Sequence, residues 1–266
     1  MLNIISLGAG VQSTAMALMA AAGEIKPMPD CAIFADTGAE PKAVYRQLEF
    51  LSTALPFPIH TVSNGSLYDD LIAGVNSTSN RFAAIPFFTK FEGTAGMGRR
   101  QCTKEYKIEP LTKAMRRLLG YAPYKRIPAN SCSVWLGIST DEVMRVKPSR
   151  NTWQVHRWPL IENGLSRNDC LRWLERNGYP EPPKSACSFC PYRSDHSWRN
   201  LKKTDPEAWQ EAVRVDEAIA QNKGRMKSEL FLHRSLKRLA DVDLSTAEDH
   251  GQLNMFNNEC EGMCGV

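Results

Sequence analysis

The sequence predicts an α/β fold, a Rossmann-like parallel sheet flanked by helices and followed by a helical C-terminal region that carries cysteines. Short apolar runs alternate with helical patterns over residues 1–165, which is the order that βαβ units produce. The first apolar run leads into a loop of small residues and then a helix, as at a strand-to-helix turn. Residues 166–266 lack the strand pattern and hold a Cys-x-x-Cys motif and a cysteine-containing tail. We therefore predict two regions with a boundary near 165.

Each element follows from a local pattern. Apolar runs predict strands at 2–5, 30–35, 59–62 and 133–138 and an extended segment at 156–160. Helices are predicted at 14–22, 41–55, 166–177, 206–221 and 228–240, and a further one ends near 119. Ser166 and Asp169 form a capping box, and Gly178 is a stop signal. Residues 74–98 lack periodicity and predict a lid or a disordered segment.

Composition limits the class of protein. A chain of 266 residues can bury a full core, as one large domain or as a domain with an appended module. No apolar run approaches the roughly 20 residues of a membrane span, so no membrane partner is expected. The N-terminus has no basic-then-apolar signal pattern, which predicts a cytoplasmic protein with reduced thiols. Its eight cysteines then suggest metal ligands or catalytic thiols.

Positive charge is concentrated in one segment. The chain carries a net charge of +4, but residues 99–150 hold twelve lysines and arginines against four acidic residues, a net +8. Such a segment attracts a polyanion, either a nucleotide or a nucleic acid such as tRNA or DNA. A solvated basic helix face explains Lys113, Arg116 and Arg117 equally well.

The loop after the first strand is the best candidate for a phosphate or sulfate site. Its glycines, Gly8 and Gly10, permit close approach, and the N–H groups at a helix start favour an anion. The loop's polar side chains are Ser6, Gln12, Ser13 and Thr14. An ordinary strand–helix turn would have a similar composition. Asp36 ends the second strand at the same edge of the sheet, where it would bind a ribose or amine or cap the next helix.

The cysteines suggest a metal centre. Cys187 and Cys190 are spaced to hold one metal ion or one iron–sulfur cluster. A zinc site needs a second pair, and Cys260 and Cys264 in the tail are the available one. Three further cysteines fall within predicted strands or a helix and are expected to be buried apolar residues, namely Cys31, Cys132 and Cys170.

Several motifs together resemble a known family. The loop ending in Gln12-Ser13 resembles the PP-loop of the adenine-nucleotide α-hydrolase superfamily, in particular its phosphoadenylyl-sulfate reductase branch. Cys102 precedes the 106–111 segment. Together with Cys187 and Cys190 it resembles the cysteine set of reductases that carry a [4Fe–4S] cluster. The 136–142 segment resembles the family's Gly-Ile-Arg-Arg-Asp-Glu, and Glu259-Cys260 resembles its nucleophile segment.

The resemblance implies an enzyme that binds ATP or an adenylyl sulfate and acts on sulfur. It implies Cys260 as nucleophile and Asp36 beside the ribose at the catalytic site. The cluster ligands would be Cys102, Cys187 and Cys190, with Cys264, Cys260 or an open position as the fourth. Nucleotide contacts would come from Ser6, Gly8, Gly10, Gln12, Ser13, Thr14, Asp36, Gly137 and Arg145.

Three functions follow as alternatives. The first is reduction of an adenylyl sulfate, which needs a thiol or other electron donor. The second is ATP-dependent insertion of sulfur into tRNA or DNA, which the basic segment favours together with Ser139 and Thr140, since the family has arginines at those two positions. The third is a nucleotide- or nucleic-acid-binding module with a structural zinc ion. A homodimer stays open in each case.

Overall fold

The computed structural model of the chain describes residues 1–82, 85–222 and 226–245. Its strands are β1 (Leu2–Leu7), β2 (Cys31–Asp36), β3 (Ile59–Ser63), β4 (Phe88–Phe91), β5 (Thr94–Met97), β6 (Cys132–Leu136), β7 (Gln154–Arg157) and β8 (Glu229–Phe231). Its α-helices are α1 (Val11–Ala21), α2 (Lys42–Ala54), α3 (Leu67–Ile72), α4 (Glu109–Leu118), α5 (Pro159–Glu162), α6 (Arg167–Arg176), α7 (Asp195–Thr204) and α8 (Pro206–Gln221). A π-helix covers Thr103–Ile108, and short 3-10 helices cover Thr140–Arg145 and Leu239–Asp241. Among these residues, no helix has the length and apolar content needed to cross a bilayer.

The main sheet has five parallel strands in the order β3-β2-β1-β6-β7. In its centre, Ile5 lies opposite Ala32 on β2 and Trp135 on β6. The chain runs outward from β1 in both directions, so the loops after β1 and β6 meet at the carboxyl edge. Open α/β sheets bind ligands at such a point. The predicted Rossmann-like fold is confirmed.

Both faces of this sheet are covered. Ile5 on β1 packs in a cluster with residues of α1 and α6, while its neighbour Ile4 packs with residues of α4 on the other face. Successive strand residues point to opposite faces, so a strand buried on both sides is apolar throughout. This explains the continuous apolar runs that predicted the strands.

A third core cluster joins distant parts of the chain. It contains residues of α3, α7 and α8 together with Tyr106 and Phe189. A three-stranded antiparallel sheet in the order β5-β4-β8 lies beside it, with Phe88 opposite Phe231. Residues 85–98 thus pair with the C-terminal region, and the boundary proposed near 165 stays a prediction.

The helix predicted at 228–240 is wrong. This segment forms β8 and the Leu239–Asp241 3-10 helix, because a buried carboxylate on α8 accepts its backbone donors. Asp216 accepts hydrogen bonds from the N–H groups of Leu232, at 2.7 Å, and Leu239, at 2.9 Å. Desolvation raises the pKa of Asp216, and Arg238 lies 3.4 Å from its second oxygen. A side chain that satisfies backbone N–H groups removes the need for helical partners.

Other boundaries also differ from the sequence patterns. The extended segment expected at 156–160 ends at Arg157, because Pro159 starts a short helix. The segment at 74–98 contains the β4–β5 hairpin, whose turn residues Glu92 and Gly93 both have positive φ, 46° and 80°. A tight two-residue hairpin turn requires positive φ at both of its central residues. Two further helices, α3 and α7, were not predicted.

Candidate active site

The loop after β1 is compact, and the Ser13 side chain closes it by bonding two of its backbone groups. The N–H of Gly8 donates to Ser13 Oγ at 3.2 Å, and that hydroxyl donates to the carbonyl of Gly10 at 3.3 Å. Ala9 has a φ of 56°. Thr14 is fully buried, and the described residues give its hydroxyl no hydrogen-bond partner. The predicted loop residues therefore come together at the carboxyl edge in a closed turn.

Two close approaches pack this loop in place. A Cβ on Gly10 would lie 2.7 Å from the Ser185 hydroxyl, so only glycine fits under that side chain without a shift. A Cβ on Gly137 would lie 2.9 Å from the backbone N of Ser13. Gly137 follows β6, so the two loops at the centre of the sheet touch as the strand order requires.

A polar network extends from Gln12 to the loop after β6. The Gln12 amide donates to Glu142 at 3.3 Å and to Ser139 at 3.5 Å. Its oxygen accepts from the Arg167 guanidinium at 3.0 Å. Arg145 donates to Glu142 at 2.7 Å. Gln12 and Arg145 are thus brought together, and Arg167, which the motifs did not identify, is part of the same network.

Asp36 shapes the turn after β2. Its carboxylate accepts from the N–H of Gly38 and from the Tyr45 hydroxyl, both at 2.8 Å. Desolvation and this hydrogen bond raise the pKa of Tyr45, which keeps the phenol protonated. The aspartate lies at the expected edge, and its role beside a ribose stays a prediction.

Three cysteines line one cleft, which we call the thiol cleft. Cys102, Cys187 and Cys190 line one open space together with Thr37, Leu67, Pro86, Arg100, Thr103, Lys107, Ala186 and Tyr192. Thr37 directly follows β2, so the cleft opens at the carboxyl edge of the sheet. Two of its lining residues are cations, which suits an anionic ligand or a thiolate.

Local structure sets where each thiol lies. Cys102 stands immediately before the π-helix, whose Tyr106 is fully buried in the third core cluster. In the second segment, the N–H of Cys190 donates to the carbonyl of Cys187 at 3.1 Å, and Phe189 between them is fully buried. The buried Arg193 donates to the carbonyls of Cys187 and Ala186, each at 3.1 Å, and fixes this turn.

One buried carboxylate connects the two cysteine segments. Glu40 accepts from Lys107 of the π-helix at 3.1 Å and from Thr37 at 3.4 Å, and the Cys187 sulfur lies 4.0 Å from the same oxygen. Its side chain is 1% exposed, and its second oxygen has no hydrogen-bond partner among the described residues. Glu40 has no motif of its own, so sequence patterns gave no signal for it.

The donor type in the cleft fits a metal–thiolate centre. Cysteine thiolates are the ligands of iron–sulfur clusters, and three cysteines line this one cleft. Within residues 1–82, 85–222 and 226–245, no three or more His, Cys, Asp or Glu side chains are grouped to hold a metal ion. The other two predicted cysteines, Cys260 and Cys264, lie outside the described residues.

The remaining described cysteines have the expected structural role. Cys31, Cys132 and Cys170 are buried, and none lines the cleft. Desolvation raises the pKa of Cys31 and Cys132 to about 11 and that of Cys170 to about 12. They stay protonated and act as small apolar side chains.

Comparisons with known proteins give a likeness among solved structures. No family model and no curated protein matches the chain. Among solved structures, the chain is similar to the phosphoadenylyl-sulfate reductase of Candida auris in its phosphate complex, with a TM-score of 0.43 and 13% sequence identity. The match covers 68% of this chain and 74% of that one.

Proposed function

We propose that this chain is an enzyme that binds an adenine nucleotide at the carboxyl edge of its sheet and performs sulfur chemistry at the thiol cleft. The observation that carries the proposal is the cleft itself. Three thiols from two segments line one space beside two cations, at the edge where open α/β sheets bind ligands.

The residues of the cleft have separate roles in this proposal. Cys102, Cys187 and Cys190 would hold a [4Fe–4S] cluster, which supplies electrons or a sulfur-binding iron when bound. Arg100 would hold the anionic end of a substrate. Arg100 is already oriented by its hydrogen bond to Thr103, at 2.8 Å. Support comes from the donor type and the shared cleft, and the fourth position would be taken by Cys260 or Cys264 or left open.

Two reactions fit this site. Releasing sulfite from an adenylyl sulfate takes two electrons from a thiol or another donor. ATP-dependent sulfur insertion into tRNA or DNA instead adenylates the target, and a sulfide then displaces AMP. The network beside the first loop favours the second reaction, because the acidic Glu142 binds both Gln12 and Arg145 where an adenylyl sulfate would need free cations.

Metal content tests whether the cleft binds an iron–sulfur cluster. The full chain, purified without oxygen, is expected to contain iron and acid-labile sulfide and to absorb near about 400 nm. Cys102→Ala and Cys187→Ala should each lose this absorbance. Cys170→Ala removes a thiol of the core and should keep it. Stoichiometric zinc without iron in the wild-type protein would contradict the cluster and support the zinc-containing module.

Turnover separates the two reactions. Sulfite release from an adenylyl sulfate, with a dithiol as electron donor, would identify a reductase. ATP consumption that increases when tRNA or DNA is added would identify sulfur insertion. If neither occurs with iron-loaded protein, the enzymatic proposal is wrong.

A further inference from the structure

We propose that the loop at residues 120–127, here called the Tyr124 loop, binds an unpaired strand of nucleic acid together with the end of α4. This surface lies away from the thiol cleft. The π-helix that borders the cleft leads into α4, whose ten residues span about 15 Å. The loop then leads into the start of β6, at the opposite edge of the sheet. Binding there needs neither a nucleotide nor a metal, so the inference does not rest on the proposed function.

The charged side chains of this segment are all positive. Residues 110–140 contain no aspartate or glutamate and five cations, which are Lys113, Arg116, Arg117, Lys125 and Arg126. The first two have neutral partners, since Lys113 donates to the Asn64 side-chain oxygen and Arg116 to backbone carbonyls. Arg117, Lys125 and Arg126 are exposed. A segment with no acidic residue of its own attracts a polyanion more strongly than a segment of mixed charge.

The loop presents one aromatic ring fully to solvent. Tyr124 is fully exposed and is followed directly by Lys125 and Arg126 in the sequence. Its φ is 65°, a left-handed conformation that a tyrosine rarely adopts. Such conformations persist only when the surrounding structure holds them.

The loop is fixed from beneath. The Arg116 guanidinium donates to the carbonyls of Ala122, at 2.9 Å, and Lys125, at 2.5 Å. Tyr121 and Ile127, at either end, pack into the core under β6. Arg116 therefore serves structure, while the ring and the two following cations stay available.

This combination matches a single strand better than a duplex. An aromatic ring gains from stacking on a base only when that base is unpaired, while neighbouring cations bind the phosphates of either form. A basic helix face that only interacts with water would not require a rigid loop that turns a tyrosine outward. RNA and DNA strands share the chemistry that the loop recognises.

Binding is measured by fluorescence anisotropy with the full chain, without ATP and with a chelator present. The probes are a labelled RNA of about 12 nucleotides, a DNA strand of the same sequence, and the corresponding DNA duplex. Wild-type protein is expected to bind one or both single strands more tightly than the duplex. Comparing the RNA with the DNA then identifies the source of the strand.

Variants separate the ring from the charges. Tyr124→Gly removes the ring and relieves the positive φ, so the protein should be at least as stable and bind about tenfold more weakly. Tyr124→Phe should bind like wild type. Lys125→Glu and Arg126→Glu should each weaken binding and lower the slope of log affinity against log salt by about 1. Lys203→Glu makes the same charge change on α7 and should have little effect.

Three results would overturn the proposal. The first is no binding of any probe at low salt, and the second is tighter binding of the duplex with no effect of Tyr124→Gly. The third is an equal loss in Lys203→Glu, which would indicate attraction by net charge alone. Cys187→Ala protein should bind normally, so failure of the thiol cleft as a metal site would leave this result unchanged.

Discussion

The first loop and the thiol cleft lie at the same edge of the sheet, yet they are built in opposite ways. The loop at 6–14 uses polar groups on itself and on the adjoining loop, with Gly8 bonded to Ser13 and Gln12 bonded to Glu142 after β6. The thiols and cations of the cleft line an open space. The segments that carry them are stabilised by contacts with the buried Glu40. A loop closed in this way gains rigidity, whereas an open cleft gains room for a ligand.

This difference locates the fragile point of the site. The loop depends on backbone packing, which a single methyl group can disturb. The cleft depends on one buried ion pair, which holds the π-helix against the turn after β2. The largest expected losses are therefore at Lys107 and at Gly137, in that order.

Lys107→Met should be the most damaging change. It leaves the buried Glu40 carboxylate without its cation, and breaking such a pair costs about 3 kcal/mol. Lys42→Met is the matched control, because its pair with Glu207 is 65% and 64% exposed and contributes little to stability. Urea unfolding of both variants measures the difference. Equal losses of unfolding free energy in the two variants would show that Lys107 does not stabilise the buried Glu40 carboxylate.

Gly137→Ala should cost about 2 kcal/mol, because the new Cβ would lie 2.9 Å from the Ser13 backbone, which cannot rotate away. Gly8→Ala adds the same atom within the first loop at ordinary contact distances, 3.6 Å or more, and should change stability by less than about 0.5 kcal/mol. Thermal unfolding compares the two. Similar effects would mean that the loop is less tightly packed than the contacts indicate.

Ser166→Ala should cost about 1 kcal/mol by removing the hydroxyl that accepts the Asp169 N–H at 3.1 Å. The loss also loosens the first turn of α6, where Arg167 reaches Gln12. Ser52→Ala removes an exposed hydroxyl from α2 and should be nearly neutral. Chemical unfolding of the two variants tests this, and a neutral Ser166→Ala would contradict the role of the cap.

The smallest effect is a pH dependence at the same cap. The Ser166 hydroxyl, the Ser166 N–H and Arg172 lower the pKa of Asp169 to about 2, below its ordinary 3.8. A lowered pKa means that the charged form stabilises the fold, so the contribution is full above about pH 5 and disappears as pH falls toward 2. The stability difference between wild type and Asp169→Asn should shrink over that range. A difference independent of pH would exclude this linkage.

Sequence patterns predicted the structural features that depend on residues close together in the chain. The apolar runs gave the parallel sheet, and Ser166 with Asp169 gave the capping box that the structure contains. Contacts between distant residues left no such signal. Glu40 with Lys107 and Ser185 over Gly10 are examples, since each is defined by the fold and not by spacing along the chain.

The helix predicted at 228–240 failed for the same reason. Its local pattern is compatible with a helix, but Asp216 and β4 supply partners from far away. The metal and nucleotide roles of the predicted site residues stay predictions. The shared cleft shows where the thiols lie and does not identify what binds between them.

The pairing of β4 with β8 has a consequence for synthesis of the chain. Phe88 meets Phe231 only after roughly 140 further residues have left the ribosome. Until then the hairpin lacks its inner neighbour, and two strands alone are marginally stable in water. A nascent chain stalled after α8 should therefore show the large sheet protected from proteases while cleavage continues near residues 88–97.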